Sequence, residues 1–462
     1  PIELYERREA FCFAGAYYTK YPERTADLGS IVSALDRYKS VEIYDRNYYK
    51  TDPNYMFPEN YQPLIVGTLP FEEIDKAYKG YQFAINLNSI KQSQTMFARR
   101  VYELLASNTI TVSNFSKGVR TLFGDLVFTS DSGEELVKRL ENILTNDLAY
   151  QKLRLLCLRK VMLEHTYERR LNYITSKVLG QMREESYLPS VTVFALVDTT
   201  ESAEYIVTQF IQQNYEDKNL ILIDIASGTI EFPERTNVSI HKLEDIADRK
   251  ISSITESLYV TLFSPEDYYS INYLLDLALA TKYSQAEIIG KSSYYKKEKD
   301  KLKLCKGDLY GKASVLNPNV SLVKLSVVSE MTLNKYLKMR SFDFDKMLAI
   351  DPFNYCQNGR EIIASELEVI NDLVVNTGVS LSELIHLSNE FLTKSDKVTK
   401  NVSKLVYSPV QIDQLFKSKG RGVIKINSGS GGYVIQSQLD ENKHDYIYAN
   451  EYIDIAHLPK LE

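Results

Sequence analysis

The sequence predicts an α/β fold: a parallel-sheet lobe, a helical connector, a second α/β domain, and a small C-terminal helical plus β unit. Three observations carry this. Short apolar runs alternate with helix-period segments from residue 10 to residue 146, and the alternation starts again at residue 190 after a charged helical stretch. Strands separated by helices of this length make βαβ units and a parallel sheet. Past residue 420, polar and apolar residues alternate between Gly, Ser and Asn turns, which is the pattern of a small β unit. The boundaries that follow are 1–150, 151–188, 189–362 and 363–462.

The elements are expected in this order. AFCFAGAYY (10–18) is a strand run ending in Gly and aromatics, LGSIVSALDRY (28–38) a helix, and VEIYDR (41–46) a second strand. After a Pro/Asn-rich loop come a helix over 71–81, a strand over 83–89, a helix over 95–107 and strands over 109–114 and 124–131. The helix over 132–146 has Glu early and Lys/Arg later, as the helix dipole prefers. Residues 148–182 read as a long charged helix or helical pair. The second domain opens with a buried-type strand over 190–198, a helix over 201–215 and a strand over 219–228. A strand and turn over 257–269 and a helix over 272–283 continue it, and helices are expected over 364–398.

Composition bounds the function. At 462 residues, 44% hydrophobic and 25% charged, the chain is ordinary folded protein and long enough for about three domains. The net charge of -6 argues against a general nucleic-acid binder. Four scattered cysteines with no CxxC pair support neither a disulfide framework nor a structural zinc site, so a reducing cytoplasm is expected. No apolar run approaches the ~18 residues of a membrane span, and no signal-peptide core opens the sequence. The 34 Tyr against no Trp carry no functional weight alone.

Open α/β sheets bind ligands at the carboxyl ends of their strands. In the first domain those ends supply Gly15 and Tyr18 with Arg24, then Asp45-Arg46, then Asn88-Ser89, with Arg99, Arg100 and Glu103 on the helix beyond. A strand-end Gly admits close approach of a phosphate, Arg offers a forked donor to a diphosphate, and an acid accepts ribose hydroxyls. Gly15 alone reads equally as a structural turn, and Arg99 with Arg100 as a solvated helix face.

The stretch YKGYQFAINLNSIKQSQTMFARRVYELLASNTITVSNFSKGVRTLFGD (78–125), an Asn-rich strand end before an R-x-x-E helix, resembles the nucleotide-binding lobe of GT-B glycosyltransferases of the CgeB-like (spore-maturation) type. The resemblance reaches back to FAGAYYTKYPER and forward to HTYERR. It implies a Rossmann-like lobe in which Glu103 holds the ribose. Arg100, Asn88 and Ser89 would face the sugar-nucleotide diphosphate, and Asp45 and Arg46 would lie near the base. A GT-B site needs two such lobes and only one precedes the connector, so the partner lobe is expected elsewhere, in cis or in a partner subunit.

The stretch SVTVFALVDTTESAEYIVTQFIQQNYEDKNLILIDIASG (190–228) is similar to GT-A, family-two-type glycosyltransferases. That likeness implies nucleotide contacts at Asp198 and Asp224 and a Mn2+ or Mg2+ site after a later strand. There the sequence has Ser264-Pro265-Glu266-Asp267, which lacks the first carboxylate of a D-x-D motif and leaves Glu266 and Asp267 as candidate ligands. A degenerate, structural copy of the domain is the alternative. Asp345 and Asp351 are candidate general bases for deprotonating an acceptor hydroxyl, or acids that cap a turn around Phe342, Phe344 and Phe353. His165 reads as a structural hydrogen bonder.

The function expected is transfer from a nucleotide sugar, a UDP-sugar, to a cell-surface glycan, teichoic-acid-like polymer or glycoprotein. The alternative is a non-catalytic glycan- or partner-binding protein. Tyr433, Tyr446, Tyr448 and Tyr452 are glycan-contact candidates or the core of the small β unit. The charged connector 152–170 is either a docking face for the inner membrane surface or a solvated helix. No G-x-S-x-G, HExxH or Walker loop occurs, and no G-x-G-x-x-G opens either sheet, which disfavours hydrolase, ATPase and dinucleotide readings.

Overall fold

The computed structural model describes residues 1–179, 187–226, 230, 235–299, 301–386, 422–426, 433–440 and 443–448. The chain divides into two compact units, Pro1–Leu381 and Ser382–Glu462. The fold is α/β, with a parallel Rossmann-like sheet, a second mixed sheet and two smaller sheets, one mixed and the other, in the tail, antiparallel.

The first sheet contains β1 (Arg8–Gly15), β2 (Val41–Asp45), β3 (Ile65–Gly67), β4 (Tyr81–Asn86), β5 (Ile110–Ser113) and β6 (Val127–Thr129). Its order is β3-β2-β1-β4-β5-β6 and every pairing is parallel. The order reverses between β1 and β4, and such a switch point opens a crevice at the carboxyl edge. The helices are α1 (Pro22–Leu35), α2 (Ile74–Lys79), α3 (Arg100–Ala106), α4 (Lys117–Phe123) and α5 (Gly133–Thr145). The expected helix over 95–107 starts only at Arg100, and the one over 71–81 is a short 3-10 turn followed by α2. Strand β3 and helix α4 were not expected from the sequence.

The connector folds as α6 (Asp147–Glu164) and α7 (Tyr167–Leu179). Helix α6, the larger part of the charged stretch 152–170, is not a solvated face, because its cations are turned inward. Lys152 Nζ donates to the Glu368 carbonyl at 2.6 Å, and Arg154 Nε to the Asn108 carbonyl at 2.9 Å. Arg159 is clamped by Asp276 and Asp372, with four hydrogen bonds of 2.7–2.9 Å. Among the described residues, no helix is long and apolar enough to cross a membrane.

The second sheet is built on β7 (Val191–Val197), α8 (Thr200–Ile211), β8 (Lys218–Asp224), β9 (Val238–Lys242), α9 (Leu243–Ile246) and β10 (Tyr259–Phe263). There follow β11 (Tyr268–Tyr269), α10 (Tyr273–Leu279), β12 (Ile288–Gly290), the hairpin β13 (Tyr294–Glu298) and β14 (Lys301–Cys305), and β15 (Gly311–Lys312). The remainder is β16 (Ser321–Lys324), α11 (Leu325–Val328), α12 (Leu333–Leu337), β17 (Met347–Ala349), β18 (Tyr355–Gln357) and α13 (Ala364–Ile370). The sheet order is β15-β17-β12-β16-β10-β7-β8-β9, with β10, β7, β8 and β9 parallel and β16 reversed. Asp276, read from sequence as a helix-face acid, is buried on α10 against Arg159.

Residues 371–380, expected to be helical, form instead a strap that runs back along α6. Asp125 donates its backbone N–H to the Asn376 carbonyl at 2.7 Å, Val379 donates to Thr121 at 2.9 Å, and Lys160 Nζ donates to the Val379 carbonyl at 3.1 Å. Gly378 holds a positive φ of 75° here, and a Cβ on it would lie 2.4 Å from the Leu122 carbonyl carbon. Residues 381–386 are helical again, and 387–398 lie outside the described residues. The tail forms the antiparallel sheet β19 (Gly422–Ile426), β20 (Tyr433–Asp440) and β21 (Lys443–Tyr448). The tyrosine contacts proposed there fall on side chains outside the described residues.

Candidate functional site

A cleft of about 1020 Å³ opens at the switch point of the first sheet, where strand-end theory places it. Eight of the residues singled out in the sequence line it together: Gly15, Tyr18, Arg24, Arg46, Ser89, Arg99, Arg100 and Glu103. Its floor is the end of β1. The Gly15 carbonyl accepts the Arg46 N–H at 2.8 Å, and a Cβ at Gly15 would meet the Phe13 ring at 2.5 Å. Only glycine lets the chain close over that ring.

The cleft concentrates positive charge. Among the described residues, Arg24, Arg46 and Arg100 make no ion pair with any carboxylate. Arg24 donates to the Ala16 carbonyl at 3.1 Å and lies over the Tyr18 ring at 5.0 Å. Its basicity is lowered, first by burial and further by the like charges of Arg100 and Arg46. Arg100 has a buried Nε with no hydrogen-bond partner. Three uncompensated guanidiniums at close quarters are stable only where an anion or solvent answers them, and Arg suits a planar or bidentate oxyanion.

Glu103 lines the same cleft. It pairs with Arg99 at 2.7 Å and accepts a hydrogen bond from the Tyr78 hydroxyl at 3.3 Å, which fixes the carboxylate toward the α2 side. The opposite wall is more apolar. It carries Leu69, Ile74 and Phe71, the last 78% exposed at the rim. Sequence reasoning missed this wall, because its residues follow β3, a three-residue strand hidden in a Pro-rich loop.

Two expected contacts serve the framework. Asn88 accepts from the Ala98 N–H at 2.8 Å, donates to Ser113 Oγ at 3.0 Å, and takes its own backbone partner from Asn114 at 2.7 Å. It ties the loop before α3 to β5. Asp45 is buried and accepts the Asn47 N–H at 2.8 Å; burial raises its pKa. It closes the turn that presents Arg46.

The second sheet is arranged differently. Asp198 follows β7 and Asp224 ends β8, so both stand at the carboxyl edge on adjacent strands. Asp224 is buried and ion-paired with Lys242 at 2.8 Å. Burial opposes its ionisation, but the Lys242 and Ala226 hydrogen bonds outweigh that and hold its pKa below the ordinary value. Asp198 is exposed at the start of α8.

After β10, where a metal motif would stand, the space is filled by aromatic rings. Phe263 and Tyr269 stack with centroids 3.8 Å apart, and Tyr269 accepts the Ser264 N–H at 2.8 Å. Asp267 is buried. One oxygen accepts the Tyr355 hydroxyl at 2.7 Å and the other the Asn358 N–H at 2.9 Å. Burial pushes its pKa up to about 6. A carboxylate committed to two donors in an apolar setting is a poor ligand for a hard cation, and Glu266 is its only acidic neighbour in sequence. Among the described residues no group of three His, Cys, Asp or Glu side chains is placed to hold a metal ion. The residues at this position do not fit a divalent cation.

The two candidate bases are not brought together. Asp351 forms a buried ion pair with Lys291 at 2.9 Å and caps the Phe353 N–H at 2.8 Å. Asp345 projects into solvent and meets Lys312 at 3.4 Å. The turn-capping alternative describes Asp351 well. His165 ends α6 between the Tyr102 and Phe123 rings, each 5.3 Å away, and burial lowers its pKa to about 3. A neutral, ring-packed imidazole with Nδ1 3.2 Å from Arg170 is a structural group, as expected.

Comparison with known proteins agrees with the first sheet. No curated protein matches the chain. Among solved structures, residues 1–349 of S. aureus TarS overlap 57% of this chain and 100% of their own at 12% identity and a TM-score of 0.26. The same protein in complex with UDP-GlcNAc gives 12% and 0.25. Overlaps of that size speak for neither fold nor function here. The informative match is to a family model: residues 40–176, from β2 through most of α7 and including Arg46, Ser89, Arg100 and Glu103, are similar to the family described as glycosyl transferase-like.

Proposed function

We propose that the protein is a glycosyltransferase that takes its sugar from a nucleotide sugar, a UDP-sugar, and that the donor occupies the cleft of the first sheet. The observation that carries this is the convergence of Arg24, Arg46 and Arg100, none in an ion pair among the described residues, on one strand-end cleft with Glu103. In this reading the three arginines hold the diphosphate and stabilise the charge that grows on it as the glycosidic bond to the donor breaks. Glu103 accepts the ribose hydroxyls. The acceptor hydroxyl comes from a cell-surface glycan, a teichoic-acid-like polymer or a glycoprotein. The glycosyl transferase-like match over 40–176 supports the assignment.

The second sheet is a structural copy in this reading. The ring-filled space after β10 favours that role, and the domain limits 189–362 are retained as part of the proposal. Among the described residues the cleft is lined only by positions 14–107, so a facing lobe in cis or from a partner subunit remains part of the proposal as well.

Calorimetric titration of UDP, with and without Mn2+, on the wild type and Glu103→Ala tests the reading. The expected result is metal-independent binding that weakens at least tenfold in the variant. Binding that needs Mn2+ and ignores Glu103 would move the donor to the second sheet. Absence of UDP binding would overturn the reading in favour of a non-catalytic binding protein.

A further inference from the structure

The loops after β1 and β2 form one surface beside the cleft. Thr19 donates its backbone N–H to the Asn54 carbonyl at 3.1 Å, which joins the two loops. Below the junction lies a buried aromatic foot, in which Tyr17, Phe57 and Tyr61 meet with centroids 5.2–6.0 Å apart. Above it, Tyr18 sits edge-on to Tyr21 at 6.4 Å and to Tyr55 at 5.6 Å, and Tyr48 sits edge-on to Tyr49 at 5.2 Å. Tyr49 is 84% exposed and Tyr48 50% exposed. The loops hold these rings in solvent although nothing in the fold of the first sheet needs them there.

Tyr48 and Tyr49 offer exposed π faces and hydroxyl groups together, while Lys20 and Lys50 lie over the Tyr21 and Tyr55 rings at 5.9 and 5.5 Å and leave their hydroxyls and edges to a ligand. The C–H groups of a pyranose face carry partial positive charge and pack on a ring's negative face, and the hydroxyls take the sugar's own. The surface is continuous with the cleft, since Tyr18 and Arg46 line the cleft while their loops carry the exposed rings. Charge does not select a polyanion: Lys20 and Lys50 are offset by Glu23 at the start of α1 and by Asp52 in the loop after β2.

We infer that the Tyr21–Tyr48–Tyr49–Tyr55 surface is a saccharide-binding subsite that holds the acceptor glycan beside the donor cleft. The inference rests on the donor reading for its role, though not for the existence of the surface.

The test uses the full chain on an array of immobilised bacterial surface polysaccharides and oligosaccharides, with Tyr48→Ala/Tyr49→Ala as the variant. Both side chains are exposed, so the variant keeps the fold, and circular dichroism checks this. UDP titration is run in parallel. The expected result is retention of the wild type on at least one glycan, weakened at least tenfold in the variant, with unchanged UDP affinity. No glycan retained, or retention indifferent to the substitution, overturns the inference. So does Tyr-dependent sedimentation with phosphatidylglycerol vesicles in place of glycan binding, which would make the surface a membrane contact. Tyr-dependent glycan binding without UDP binding would sink the donor reading alone and leave the saccharide site standing.

Discussion

Lys291 and Asp351 form an ion pair 2.9 Å long with both side chains out of contact with water. Lys291 also donates to the Asp351 carbonyl at 3.2 Å, so one ammonium fastens the end of β17 to the residue after β12. Removing one partner strands the other charge. Lys291→Met is therefore expected to cost about 3–5 kcal/mol, and the double change Lys291→Met/Asp351→Leu to recover much of that. Urea unfolding of the three chains reads it. A fully stable Asp351→Asn with lost turnover alone would return Asp351 to the role of general base.

Asp267 gives the protein a pH signature. Its pKa is raised from 3.8 to about 6 by burial, so the folded state holds a proton there that the unfolded state has lost. Stability from this group is full below pH 4, falls as pH rises toward 6, and is flat above; the span corresponds to about 3 kcal/mol. Asp276 contributes in the same direction, its pKa raised by burial against the pull of Arg159. The decline in urea midpoint from pH 4 to 6 should thus be shallower in Asp267→Asn than in the wild type, though not absent. Added Mn2+ should leave both midpoints unmoved.

Arg100 separates binding from stability. Among the described residues its guanidinium serves no ion pair, so Arg100→Met should unfold within ~0.5 kcal/mol of the wild type. Loss of a charge-assisted contact to the diphosphate should weaken UDP binding by ~10–100-fold, the equivalent of about 1.5–3 kcal/mol. Equal UDP affinity in the two chains would remove Arg100 from the site.

Gly378 tests the strap. Its left-handed backbone alone makes Gly378→Ala cost about 1–2 kcal/mol, and contact with the Leu122 backbone adds to that. Gly311→Ala is the control: its Cβ would meet nothing closer than 3.6 Å, and a change within ~0.5 kcal/mol is expected. Thermal unfolding distinguishes them, and equal midpoints would mean the strap bears no load.

The parts of the fold readable in sequence were those whose signal is local. Strands β1, β2 and β7 show as apolar runs of nearly the right length, and α5 shows as a dipole-ordered helix. Strand β3 has three residues and α4 seven, too short for periodicity to stand out. The strap looked helical because Ile370, Leu373 and Val374 sit at i, i+3 and i+4, yet Gly378 and the backbone partners on Thr121 and Asp125 decide its course. The cleft was legible because a parallel sheet places its strand ends at one edge, so Gly15, Arg46, Ser89 and Arg100 had to be neighbours. What the sequence hid was how residues far apart use up each other's atoms. Tyr355 is 88 positions from Asp267, and Asn114 is 26 from Asn88. An acid awaiting a metal and an acid already satisfied have the same letter.

The strap makes the glycosyl transferase-like segment dependent on residues far downstream. Helix α6 closes that segment, yet Lys152 rests on Glu368, Arg159 on Asp372 and Lys160 on Val379. Cut out at 40–176, the segment would lose the central strand β1, which pairs with both β2 and β4, together with the downstream acceptors of three inward-facing cations. It is not portable. Transplanted alone it would leave Arg159 without Asp276 or Asp372, so any graft of the cleft into another protein has to bring β1, α1, Asp276 and residues 364–381 with it.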